Sequence, residues 1–142
     1  MAECIFCRIA RGEIASHRVY ESPQLVGFLD IQPIRRGHVL LVPREHFPYF
    51  DGLPAALAAE IFSVAQRLAP VLRRRFDAHR VGFMFTGTDV AHAHAHVVPM
   101  VEGGDITSRQ YIAEEQVTIR PAPRAAAEDL QEAARMIRES LS

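Results

Sequence analysis

The chain contains no lysine; all 16 of its basic residues are arginine. That absence excludes the phosphate-gripping lysine of P-loop enzymes, Schiff-base chemistry on a lysine, and any lysyl-nucleotide intermediate. A phosphate group, if bound, must be met by arginine, histidine, hydroxyls or backbone N–H groups. Charge of one sign is also missing, because 16 basic residues face 17 acidic ones for a formal net charge of -1. No global field then draws in nucleic acid or an anionic membrane. No apolar run approaches the roughly 20 residues of a membrane span. Glu3 stands where a secretory signal would carry a base, so the expectation is a cytoplasmic protein with no nucleic acid and no membrane as partner. Cysteine is scarce, with Cys4 and Cys7 alone. In a reducing compartment a structural disulfide between residues so close is disfavoured, and the Cys-x-x-Cys spacing points to metal or redox chemistry.

What is present fits one compact domain over residues 1–142, at 49% hydrophobic and 23% charged residues. Residues 18–30 read as two short strands joined at Glu21-Ser22-Pro23, with Asp30 ending the second. His38 to Pro43 is an aliphatic, β-branched run closed by proline, a central strand. Residues 53–76 carry Leu57, Ile61, Val64, Leu68 and Leu72 three or four apart, a long helix with Pro54 near its first turn and Pro70 as a kink or break. Val81 to Phe85 is strand-like, and residues 90–100 alternate strictly as one more strand. Residues 102–105 form a loop, 107–119 fit no single element, and 124–141 form an amphipathic helix. The class is α+β, a mostly antiparallel sheet with one long helix packed on it.

Within the alternating run, His92, His94 and His96 fall two apart with alanines between them. Period two puts three imidazoles on one face of a strand, which can be neither an apolar core nor cheaply buried without partners. A polar ligand or a metal supplies those partners. A central histidine whose Nδ1–H is held by an acceptor presents Nε2 as a nucleophile toward phosphorus.

His92-Ala93-His94-Ala95-His96-Val97-Val98 resembles the signature of the histidine triad (HIT) superfamily of nucleotide hydrolases and transferases. Further blocks are similar in order and spacing: Cys4-Ile5-Phe6-Cys7, Gly12-Glu13-Ile14, Phe28-Leu29-Asp30-Ile31-Gln32-Pro33, and Gly37-His38 through Pro43-Arg44-Glu45-His46. The resemblance covers residues 4 to 101 and leaves 102–142 as a divergent extension. It implies His94 as nucleophile, a covalent nucleotidyl-histidine later hydrolysed by water, and His38 and His96 as donors to phosphate oxygens. It also implies that Asp30 accepts the two ribose hydroxyls while Phe28 and Ile31 enclose the base; read without it, Asp30 is a strand-end turn former. For the zinc-bearing, HINT-like branch it implies a structural zinc on Cys4, Cys7, His46 and His92, where the residues alone leave two reduced thiols as the alternative. His17 and His79 match no motif position and are expected at the surface.

The lead-in to the triad departs from the family pattern. Thr88 and Asp89 stand where a glutamine and a hydroxyl are common, both in contact with phosphate or the leaving group. Asp89 serves as a proton donor there only where burial raises its pKa. The expected function is hydrolysis or nucleotidyl transfer at the α-phosphate of purine ribonucleotide conjugates, phosphoramidates or dinucleoside polyphosphates. The alternative is a non-catalytic nucleotide- or metal-binding module on the same fold. The expected assembly is a homodimer paired through the long helix and an edge strand, where Ala55, Ala56, Ala58 and Ala59 permit close approach; a monomer covered by its C-terminal helix is the alternative.

Overall fold

The computed structural model describes residues 3–114 and 123–141, in two compact units divided between Tyr111 and Ile112. The first unit holds a five-stranded antiparallel sheet. Its strands are β1 (Arg18–Glu21), β2 (Leu25–Leu29), β3 (Val39–Pro43), β4 (Arg80–Met84) and β5 (Ala95–Met100), in the spatial order β1-β2-β3-β5-β4. Helix α1 (Ile5–Ala10) and helix α2 (Ala55–Arg75) cover its two faces. This explains why β2 and β3 read as unbroken apolar runs: each is buried on both sides. Leu25, Val39, Leu41, Ala95 and Val97 pack with Leu57, Ile61, Val64 and Leu72 of α2. On the opposite face Val26, Phe28, Leu40 and Val42 pack with Phe6, Ile9 and Ala10 of α1. That second face is the one that carries the histidines.

Several elements differ from the sequence expectation. The alternating segment is strand only from Ala95; His92 lies in a bend and His94 in irregular chain before the ladder, because β3 pairs with β5 no further than Leu41 opposite Ala95. Cys7 lies on the short helix α1, and Cys4 is its N-cap residue. Pro54 caps α2 from outside it, and the helix continues through Pro70 without a break. By length and composition alone, an 18-residue window of α2 with a mean hydropathy of 1.3 is long and apolar enough for a membrane span. Its buried stripe, however, is spent on the sheet. A 3-10 turn, Asp105–Thr107, runs from the end of the expected loop into the undecided stretch, and Arg109–Tyr111 forms another within it, while 115–119 lie outside the described residues.

These turns belong to the first unit and anchor the loop that leads into β3. The buried Asp105 carboxylate takes two N–H groups of Arg35, at 2.9 and 2.7 Å, and the backbone N–H groups of Val101 and Glu102. The Arg35 guanidinium holds the Asp105 carboxyl down at a pKa of about 2. Gln110 Nε2 donates to the Ile34 carbonyl, and Tyr111 Oη donates to the Pro33 carbonyl at 3.1 Å. Gly37 follows with φ +92°, where a Cβ would lie 2.5 Å from the Phe76 ring. Only glycine turns the chain there and delivers the next residue, His38, into the sheet.

The second unit, 112–142, contains α3 (Ala127–Leu141), which begins after the expected residue 124. Leu130 and Met136 are exposed on it, and Arg135 pairs with Glu139 one turn on.

Candidate active site and metal centre

The orientation of each imidazole follows from its backbone partners, because a carbonyl can only accept and an amide N–H can only donate. The Ile34 N–H donates to His38 Nδ1 at 3.1 Å, so the His38 proton is on Nε2. That N–H points at His96 Nδ1, 2.9 Å away, which fixes the His96 proton on Nε2. His96 Nε2 is buried and has no partner among the described residues, leaving a donor ready for a ligand. His94 donates Nδ1–H to the His92 carbonyl at 2.7 Å, so its Nε2 carries a free lone pair. His92 donates Nε2–H to the Pro43 carbonyl at 2.9 Å, which leaves its Nδ1 lone pair free as well. Burial lowers the pKa of His92 and His96 and brings His38 down to about 4, so all three are neutral near pH 7.

One cavity of about 360 Å³ opens over this face, within the range of small-ligand pockets. Asp30, Asp89, His94 and His96 line its polar end; Ile5, Phe6 and Ile9 of α1 with Phe28 and Leu40 of the sheet line its apolar wall. Phe6 sets its ring edge-to-face against His94, with centroids 4.9 Å apart, and against Phe28 at 5.8 Å. Ile31 lines the rim and is 88% exposed, a side chain open to a ligand plane. Asp30 Oδ1 accepts the Gln32 N–H at 2.8 Å, and its Oδ2 lies 3.8 Å from His38 Nε2.

Three expectations change. His38, expected as a phosphate donor, is not among the lining residues, and both of its ring nitrogens are engaged, Nδ1 by the Ile34 N–H and Nε2 by His96 Nδ1. Thr88 is not among the lining residues, and Asp89, which is, is exposed, so the burial that a proton donor requires is missing. His17, expected only at the surface, is exposed but lines the cavity. His79 is exposed and remote from it.

Behind His94 lies a second cluster: the Sγ atoms of Cys4 and Cys7 and one ring nitrogen each of His46 and His92 all fall within 4.8 Å of one another. Cys4 Sγ and Cys7 Sγ are 3.3 and 3.5 Å from His92 Nδ1, Cys7 Sγ is 3.4 Å from His46 Nδ1, and the two Nδ1 atoms are 3.2 Å apart. Metal–sulfur bonds of about 2.3 Å and metal–nitrogen bonds of about 2.0 Å around a tetrahedral zinc give edges of roughly 3.3 to 3.7 Å. The four atoms therefore fit zinc. Burial, with Cys4 beside it, pushes the Cys7 thiol up, and a bound cation supplies the charge that lets both sulfurs ionise. Both cysteines are free thiols.

Phe6 was not singled out from sequence, although it stands inside the Cys4 to Cys7 block. The carbonyls of Pro43 and His92 and the Arg35–Asp105 anchor leave no mark in a sequence. An adenosine 5'-monophosphoramidase of Candida albicans is 32% identical over 107 residues, 69% of this chain and 70% of that protein. The crystal structure of a HIT family protein from Bacillus anthracis superposes with a TM-score of 0.80 at 27% identity, over 99% of both chains. A zinc-bound histidine triad family protein from Mycobacterium smegmatis superposes with a TM-score of 0.67 at 28% identity, over 99% of this chain and 98% of that one. The HIT domain family model matches residues 11–103, and the chain belongs to the HIT family.

Proposed function

We propose that the protein is a nucleotide hydrolase or nucleotidyl transferase that attacks the α-phosphate of purine ribonucleotide conjugates, phosphoramidates or dinucleoside polyphosphates, through His94. The observation that carries this reading is the pairing of two opposite imidazoles on one wall: His94 Nε2 offers a lone pair, and His96 Nε2 offers an unpartnered N–H. The lone pair forms the bond to phosphorus while the bond to the leaving group breaks and its electron pair departs with that group, which takes a proton from solvent. His94 keeps Nδ1–H on the His92 carbonyl and carries the positive charge of the nucleotidyl-imidazolium. His96 Nε2–H donates to a phosphate oxygen and His38 holds His96 in the required tautomer. Water then attacks phosphorus and releases a proton to solvent, while the bond from phosphorus to Nε2 breaks and its electron pair returns to His94. Asp30 binds the ribose hydroxyls, and Phe6, Phe28 and Ile31 hold the base. His94→Ala should lower turnover of an adenosine phosphoramidate by several orders of magnitude while AMP still binds; undiminished turnover would refute the assignment.

Cys4, Cys7, His46 and His92 hold a structural zinc in this reading, which places the protein in the zinc-bearing, HINT-like branch. The ion supplies a cross-link between α1 and the segment that carries the triad. His92 is the joint: its ring is a ligand and its carbonyl orients His94. The partner is a second copy of the chain. β4 is one of the two edge strands, and its Phe83, 38% exposed, stacks edge-to-face at 5.6 Å with Phe62 of α2, 57% exposed. Ala55, Ala56, Ala58 and Ala59 are exposed on α2. An open strand edge with an aromatic patch suits two-fold pairing. Light scattering at micromolar concentration should give about twice the chain mass, and a monomer throughout that range would reject the dimer.

A further inference from the structure

The polar end of the cavity has an unusual charge balance for a phosphate site. Its lining includes two carboxylates, Asp30 and Asp89, and no arginine, in a chain with no lysine. Asp30 is engaged, with Oδ1 on the Gln32 N–H. Asp89 has no hydrogen-bond or ion-pair partner among the described residues, and its charge acts on His96 across the cavity. His96 brings no compensating charge, since burial lowers its pKa. The free carboxylate of Asp89 thus shares one cavity with the His94 lone pair and the unpartnered His96 N–H.

We propose that Asp89 sets the leaving-group class of this site, favouring an amine over a phosphate or polyphosphate. This rests on the reading of His94 as nucleophile at an α-phosphate. When the P–N bond of a phosphoramidate breaks, its electron pair goes to nitrogen. That nitrogen must take a proton from solvent to leave as an amine, so positive charge gathers on it in the transition state. A carboxylate at the mouth stabilises that charge. When the leaving group is a nucleoside polyphosphate, the electron pair goes to an oxygen already flanked by anionic phosphates, and the same carboxylate repels it. Enzymes that expel polyphosphate need cations on those oxygens, and the lining residues offer none. Asp89 therefore acts with opposite sign on the two substrate classes. Because it is exposed, its influence is a screened one, on the order of tenfold for each class and smaller in high salt.

The test compares kcat/KM for the phosphoramidate of AMP with a simple alkylamine against that for diadenosine tetraphosphate, in the full chain and in Asp89→Asn and Asp89→Glu. Asp89→Asn should lose about tenfold on the amine substrate and gain on the polyphosphate, and the shift in the ratio should shrink in about 1 M salt. Asp89→Glu, which keeps the charge, should keep the preference. Equal effects of Asp89→Asn on both substrates, with the thermal melt unchanged, overturn the role of Asp89 and leave His94 untouched. Turnover of neither substrate by the unaltered protein overturns the underlying reading, and this inference with it.

Discussion

Acidifying the protein should expose the cost of the His38–His96 pair. In the unfolded chain His38 titrates near 6.5, whereas burial brings it to about 4 in the folded protein. The folded state therefore resists a proton that the unfolded state accepts. Above about pH 6.5 His38 is neutral in both states and its packing contributes in full; as the pH falls toward 4 the unfolded chain takes up the proton and stability is lost. At about 1.4 kcal/mol per pKa unit the shift amounts to a loss of about 3 kcal/mol across that window. His92 and His96, also lowered by burial, add in the same direction. The assay is urea unfolding at half-unit steps from pH 7 to 4, with His38→Asn as the reference. Asparagine can still accept the Ile34 N–H but does not titrate, so its stability should fall less steeply, by about 3 kcal/mol over the window. Parallel curves for the two proteins would refute the tautomer assignment and the relay built on it.

Two further perturbations probe the elements that hold the site. Purified protein should carry about one zinc per chain, and Cys4→Ser should lower the melting temperature because the ion's binding energy is folding energy; full stability after chelation would reject the metal. Gly37→Ala places a Cβ against the Phe76 ring at a residue with φ +92°, and the clash with the backbone strain should cost about 2 to 4 kcal/mol in urea unfolding. A loss below about 1 kcal/mol would show that the turn before His38 is not held as described.

The parts of the molecule written in side-chain pattern were legible before the structure. The apolar run at 39–43, the helical spacing of Leu57, Ile61 and Val64 and the alternation around His94 each follow from one period, and each led to a real element or face. What escaped depends on the backbone. Nothing in the residue types says that β5 begins only at Ala95, since the sequence before it keeps the same alternation while its bonds go elsewhere: the Ala93 N–H donates to the Phe47 carbonyl. Nor does sequence show that the His38 ring is saturated, because one of its partners is a backbone amide four residues earlier. The Arg35–Asp105 anchor spans 70 positions and joins residues of common types. Pro70 misled for a local reason: a helix packed along its length against a sheet tolerates one missing N–H.

The central claim is that His94 Nε2 becomes bonded to phosphorus. Rapid mixing with an AMP phosphoramidate, quenching in denaturant and mapping the peptides by mass should find the adenylyl group on the segment that contains His92, His94 and His96. The adduct should vanish in His94→Ala. Turnover without any adduct on the millisecond scale, or an adduct that persists in His94→Ala, would contradict the account.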